Sequence, residues 1–196
     1  MSRLLSLALV VCTVAVSGCD DARGRAERLT HERKFGDLDV KVSYLPWDHF
    51  AEREITPEHS RVQKDSIMAH YQKQLYFLVT MTANGREPIY AASRSQAQYS
   101  ERVQKLSFAA GQFFQLRTSE DSVLSFLGSS FPRLYGASGN NQLLLIYKRE
   151  PYIDQAVWLD LIASDITFGL PTEHYRFKVS DLERASIHDF KLLTAK

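Results

Sequence analysis

The sequence predicts a mainly β protein, a single antiparallel β-sandwich with one or two short helices. Three observations carry this expectation. Apolar residues alternate with polar ones in short runs, clusters of turn-forming residues separate those runs, and no helical stretches recur between them as a parallel sheet would require. The pattern extends from Leu38 to the C-terminus, about 160 residues, which is enough chain for one core. No internal repeat or Pro- or Ser-rich linker divides it.

The first run, "LDVKVSYL", places Leu38, Val40, Val42 and Tyr44 on one face and Asp39, Lys41 and Ser43 on the other. That is the period of a half-buried strand. "LYFLVTMTA" puts Leu75, Phe77, Val79, Met81 and Ala83 on one face, and Asn84-Gly85 then signals a hairpin exit. "QFFQLRT" around Phe113, "SVLSFLG" around Leu124, "QLLLIYK", "AVWLDLIA" and "YRFKV" continue the series. The segments between them, such as "TSED", "GSSFPRLYGASGNN" and "FGLPTEH", are dense in turn formers.

Two segments depart from this grammar. "QAQYSERVQKLSFAAG" sets Tyr99, Val103, Leu106 and Ala110 at helical spacing, pairs Glu101 with Lys105, and stops at Gly111, which predicts a short helix. "TPEHSRVQKDSIMAHYQKQ" begins with a plausible cap at Thr56 and Pro57 but shows no continuous apolar stripe. It reads as one or two helical turns or as an exposed loop.

At the N-terminus one arginine, Arg3, precedes thirteen mostly apolar residues, Leu4 to Val16. As a helix this run spans only about 20 Å against a hydrocarbon core of about 30 Å, so it reads as a cleavable signal peptide over residues 1–18. The following "VSGC" resembles the lipobox of bacterial lipoproteins, an aliphatic residue, a small residue, Gly or Ala, then Cys. The resemblance implies that Cys19 carries a diacylglyceryl group after cleavage behind Gly18. It also implies that Asp20 and Asp21, directly after the lipidated cysteine, act as a signal for retention in the inner membrane, with outer-membrane sorting as the alternative. Residues 19–37, charged and without a steady period, read as a flexible tether, and residues 38–196 as the folded domain.

Cleavage removes Cys12 with the signal and leaves Cys19 as the one cysteine, so no internal disulfide can form. Losing Arg3 leaves 23 basic residues against 23 acidic ones, a balance that gives no support to nucleic-acid binding. Membrane attachment then depends on the lipid.

From Tyr76 to Leu182 the order of features is similar to immunoglobulin-like domains of bacterial envelope lipoproteins. The corresponding residues are Tyr76 and Phe77, Tyr99 with Arg102, Leu116, Pro132, Leu144 to Tyr147, and Phe177 with Asp181 and Leu182. The resemblance implies an immunoglobulin-like sandwich without the cysteine pair of antibody domains.

No catalytic constellation stands out. No G-x-S-x-G elbow occurs, and Ser138 in "GASGNN" reads as a loop residue. The six histidines are scattered, with none at i,i+4 to another. "WDHFAERE" gathers Asp48, His49, Glu52 and Glu54, but reads as a solvated strand-to-loop exit, so no metal and no cofactor are expected. Phe77, Phe114, Tyr147, Trp158 and Phe177 read most simply as core. Asp160 shares a strand face with Trp158 and Ile162, and needs an arginine or backbone amides if it is buried. The loop from Gly128 to Asn141 offers Phe131, Arg133 and Tyr135 among small residues, a composition suited to recognition as well as to a plain surface loop. The expectation is a non-enzymatic interaction or assembly module whose partner is another envelope protein. A small-ligand, glycan or metal-binding lipoprotein is the alternative, and a hydrolase the third reading.

Overall fold

Alternation closes into two antiparallel sheets in the computed structural model, which describes residues 24, 27–164 and 168–186. Cys19, Asp20 and Asp21 lie outside the described residues. The first sheet has the order β1-β2-β3-β6-β5 and the second β4-β7-β8. Their ranges are β1 Thr30–Phe35, β2 Leu38–Leu45, β3 Gln74–Ala83, β4 Phe114–Thr118, β5 Phe126–Ser130, β6 Asn141–Lys148, β7 Trp158–Ala163 and β8 Glu173–Lys178. The chain is therefore a β-sandwich. Among the described residues no helix is long and apolar enough to cross a membrane.

Inward-facing residues form one core. Val40, Val42, Leu75, Phe77, Val79, Met81, Leu143 and Leu145 from the large sheet meet Phe114, Leu116, Leu159, Leu161, Tyr175 and Phe177 from the small one. The sheets are also joined by the Tyr147 hydroxyl, which donates to the Phe114 carbonyl at 3.1 Å. Burial pushes the Tyr147 phenol well above its usual range, so this donor keeps its proton. Gly111 admits the ring of Phe126 so closely that a Cβ there would lie 2.7 Å from its Cδ1.

Several expectations are corrected. The tether does not run to Asp37: Leu29 is fully buried, and Thr30–Phe35 pairs along its whole length with β2, from Thr30↔Ser43 to Phe35↔Leu38. Alternation is masked there because the inward positions are His31 and Arg33. The His31 ring meets the edge of Phe177 at 4.7 Å, and Arg33 lies over Tyr175 while pairing with Glu173 at 3.5 Å. A charged edge strand of this kind resists pairing with other chains. "SVLSFLG" is likewise only partly strand, since Leu124 is buried and donates to Leu116 before β5 begins at Phe126.

Helices are more numerous than one or two. Among the described residues six short α-helices occur: α1 Asp48–Glu54, α2 Arg61–Gln72, α3 Pro88–Ala91, α4 Gln96–Phe108, α5 Ala110–Phe113 and α6 Val179–Arg184. The helix α4 matches the spacing read from sequence through Tyr99, Val103 and Leu106, but it ends at Phe108, and Gly111 lies inside α5 instead of stopping the helix. "WDHFAERE" is helical rather than an extended loop. The cap of α2 is Ser60 and not Thr56: Ser60 Oγ accepts from the Gln63 amide, and Gln63 Oε1 accepts from the Ser60 amide at 2.8 Å. No residue of α2 is buried, which explains its missing stripe. It is held through Tyr71, whose hydroxyl donates to Glu54 at 2.6 Å, and through Phe50, stacked at 4.1 Å on Tyr76 of β3.

Burial lowers the pKa of His31 from 6.5, and its Nε2 is buried without a hydrogen-bond partner. The unfolded chain thus binds this proton more readily than the native one. The stabilising contribution is intact above the unfolded value and is lost as pH falls through it toward the lower folded value. Urea denaturation midpoints of the wild type should fall from pH 7.5 to pH 5.5, with a shallower fall in His31→Phe, whose ring keeps the Phe177 contact and cannot titrate.

Candidate functional site

The two ends of the sandwich differ. The Tyr44 amide donates to the Leu29 carbonyl at 2.9 Å, so the chain enters β1 at the end where Leu45, Gln74 and Lys148 lie. The opposite end gathers the Asn84-Gly85 turn, α3 and the loop over 131–140, because β2, β3 and β6 all terminate there around Leu38, Ala83 and Asn141.

Glu87 organises this far end. It follows the turn made by Asn84 (φ 49°) and Gly85 (φ 74°), and Pro88 at the first helical position starts α3 directly behind it. Its side chain is buried, with Oε1 accepting from Asn141 Nδ2 at 2.8 Å and from the Tyr99 hydroxyl at 3.3 Å. Oε2 accepts from the Gly136 amide. Asn141 Oδ1 accepts in turn from the Ile89 amide at 2.9 Å. Burial raises the Tyr99 pKa, which keeps the phenol a donor at neutral pH.

The same network fixes the loop in an uncommon shape. Tyr135 has φ of 50°, a left-handed conformation disfavoured for an aromatic residue, and its amide donates to the Tyr99 hydroxyl at 3.1 Å. Gly136, at φ of 81°, sits so close to Tyr90 that a Cβ would fall 2.9 Å from its Cδ1. Tyr99 is then flanked by Tyr90 and Tyr135, at ring separations of 5.8 and 5.3 Å. The inner ring is 2% exposed, whereas Tyr90 and Tyr135 are 50% and 53% exposed. Two tyrosine faces are thus held open to solvent by a buried polar frame, with Arg133 exposed between Phe131 and Tyr135.

Phe131 is a correction to the recognition set. It is 8% exposed and belongs to the core, fastening the start of the loop rather than meeting a partner. Arg133 and Tyr135 remain at the surface, and Tyr90 joins them. Tyr90 carried no signal in the sequence, since "EPIY" is four residues with no period. Glu87 was equally silent, because a lone carboxylate beside a turn is ordinarily solvated.

A second polar group lies on the outward face of the small sheet. Asp160 is buried, and its Oδ2 accepts from His174 Nδ1 at 2.8 Å and from Arg176 Nε at 3.3 Å. The expected arginine partner is therefore Arg176, whose guanidinium also covers the ring of Trp158 at 4.7 Å. Trp158 is corrected from core to the outer face, since the register of β7 turns Leu159, Leu161 and Ala163 inward. An Asp-His pair orients an imidazole for proton transfer, but among the described residues no hydroxyl or thiol hydrogen-bonds to His174.

Among the described residues no group of three metal-ligating side chains converges, and Asp48, His49 and Glu52 each engage other parts of the protein. A shallow concavity of about 500 Å³ over β1 to β3 is bordered by Lys34–Asp39 and Glu32–Lys41 pairs, both at 3.7 Å.

No family model matches the chain, and no curated protein does. A solved structure of a DUF4426 family protein from Pseudomonas aeruginosa PAO1 is similar over 76% of this chain and 92% of that one, at 12% identity and a TM-score of 0.31. At that level the likeness carries no argument.

Replacing Glu87 by Gln puts an amide donor among three existing donors. It should lower unfolding free energy by about 1.5–3 kcal/mol, the cost of leaving buried hydrogen-bonding groups mismatched. Limited proteolysis should then cut first within 131–140, which mass spectrometry of the fragments would detect.

Proposed function

We propose that the protein is a membrane-anchored periplasmic lipoprotein whose sandwich works as a non-enzymatic interaction or assembly module of the cell envelope. The observation that carries this reading is the Tyr135 loop. A strained aromatic residue is presented to solvent by a fully satisfied buried network, so the surface is preorganised and loses little freedom on binding. Tyr and Arg are the residue types that most often dominate protein contacts.

The domain reads as immunoglobulin-like. With β2 to β8 taken as strands A to G, the sheet orders become A-B-E-D and C-F-G, the arrangement of constant-type immunoglobulin domains, with β1 added outside strand A. Such sandwiches carry recognition on the loops at one end, which suits the cluster around Tyr90, Arg133 and Tyr135.

The anchor reading rests on the lipobox resemblance at Cys19, with inner-membrane retention resting on Asp20 and Asp21. A single acyl chain holds weakly and two or three hold firmly, at about 0.8 kcal/mol per buried methylene. Cys19→Ser should move the protein from the membrane fraction to the soluble one or leave it uncleaved. Asp20→Ser with Asp21→Ser should shift it from inner to outer membrane on a density gradient, and an unchanged distribution rejects the sorting assignment.

The interaction itself is tested by crosslinking in native membranes. Tyr90→Ser, Arg133→Ser and Tyr135→Ser combined should abolish the crosslinked species while leaving the thermal midpoint within a few degrees of wild type. Retention of every crosslinked species would reject the loop as the contact.

A further inference from the structure

We infer that β1 is a releasable strap, latched by the neutral ring of His31, and that its opening in acid lengthens the free chain between the lipid anchor and the sandwich. The opening is a property of the fold. Its consequence for the anchor rests on the lipoprotein reading above.

The strap lies at the margin of the core. From Glu27 to Asp37 Leu29 alone is buried, whereas Thr30, His31 and Phe35 are half-buried and Glu32, Arg33 and Lys34 are exposed. Taking β1 away leaves β2-β3-β6-β5 and β4-β7-β8 with their own pairings intact. β1 pairs with β2 from Thr30↔Ser43 to Phe35↔Leu38, and the turn at Gly36 (φ 60°) closes the hairpin. Such an edge opens as a zipper from Thr30, where the chain enters, and no other strand has to move.

Few side chains fasten the strap to the small sheet. Arg28 with Asp181 at 3.3 Å and Arg33 with Glu173 at 3.5 Å are pairs whose arginines are half exposed, so each contributes little. His31 is the contact that responds to pH. Its ring meets the edge of Phe177 at 4.7 Å, and its Nε2 is buried without a hydrogen-bond partner. A proton there puts charge on a desolvated nitrogen, whereas the opened strand leaves the imidazolium in water.

The charged and titratable groups around the ring do not offset that cost. On its own strand Arg33 opposes the proton, and burial opposes it more, outweighing the Arg176 carbonyl of β8, which favours it. β2 sets Val42 opposite His31, with Tyr44 alongside, its phenol pushed up to about 12 by burial. On β8 the Tyr175 phenol is likewise pushed up to about 12, and Glu173 is held by Arg33. From α6, Asp181 is held by Arg28, while Glu32 and Lys34 pair with Lys41 and Asp39 on the outer face.

Connectivity sets the consequence. With the strap closed, the chain enters at the end of Leu45, Gln74 and Lys148; with it open, the chain first meets the sandwich at Leu38, the end that carries the Tyr135 loop. Residues 29–37 then join the free chain and add at most about 30 Å of reach.

The test is amide-resolved hydrogen exchange of the full-length lipoprotein in detergent micelles at pH 7.5 and pH 5.5, with rates corrected for intrinsic exchange. The hydrogen-bonded amides of β1 should exchange together, about tenfold or more faster than those of β3 at both values. One unit below the ordinary 6.5 of a free imidazole, linkage allows the opening of β1 to rise by up to about tenfold. His31→Phe should remove that rise. Thr30 and Ser43 set their hydroxyl oxygens 3.1 Å apart, so oxidised Thr30→Cys/Ser43→Cys should slow β1 to the rate of β3. Exchange of β1 and β3 at one rate in the wild type, opening confined to the Thr30 end, or an equal rise in His31→Phe overturns the strap. Flotation with phosphatidylcholine vesicles reads the anchor separately: wild-type protein that does not float rejects the anchor, and its exchange still decides the strap.

Discussion

The structure depends on Phe77. It sits on β3, central in the five-stranded sheet, with no exposed surface, and its ring meets Tyr44 at 5.6 Å, Tyr147 at 6.2 Å and Phe177 at 5.2 Å. Those neighbours come from β2, β6 and β8, so a single aromatic residue touches both flanking strands and the opposite sheet. No cysteine occurs among the described residues, so the two sheets are held together by such packing. Removal of a buried Phe costs about 3–5 kcal/mol, a large part of the stability of any single domain.

From that centre the two ends are finished in different ways. At the end where the chain enters β1, polar residues pair across the surface: Arg28 with Asp181, and Arg149 with Asp154 and Glu183. Exposed pairs of this sort contribute little individually. At the other end the polar interactions are inside. Glu87, Asn141 and Tyr99 are all buried and satisfy backbone amides of α3 and the 131–140 loop. Tyr90, Arg133 and Tyr135 remain exposed outside this frame.

Much of the sandwich was legible in the sequence, because strands buried on one face must alternate. β2, β3, β4, β6, β7 and β8 follow from that rule, and α4 follows from Tyr99, Val103 and Leu106 at helical spacing. β1 was hidden because its inward residues, His31 and Arg33, are polar, the one setting its ring against Phe177 and the other its guanidinium over Tyr175 of β8. The helix α2 was hidden because it buries no residue and is set by a capping box at Ser60. The site was half legible: Arg133 and Tyr135 stand out as exposed-type residues in a turn-rich loop, whereas Phe131 does not reveal its burial.

What the sequence by itself determined is periodic: the alternating strands, the α4 spacing, the cysteine count and the charge balance. These are local, since each can be evaluated within one segment or by counting. The tertiary structure alone decided which residues meet. It brought Glu87 to Gly136 across 49 positions and Asn141 to Glu87 across 54, and it paired Asp160 with Arg176 on the outer face instead of in the core. A hydrogen bond between distant segments has no periodic trace, because its geometry is set by the register of strands that must first pair.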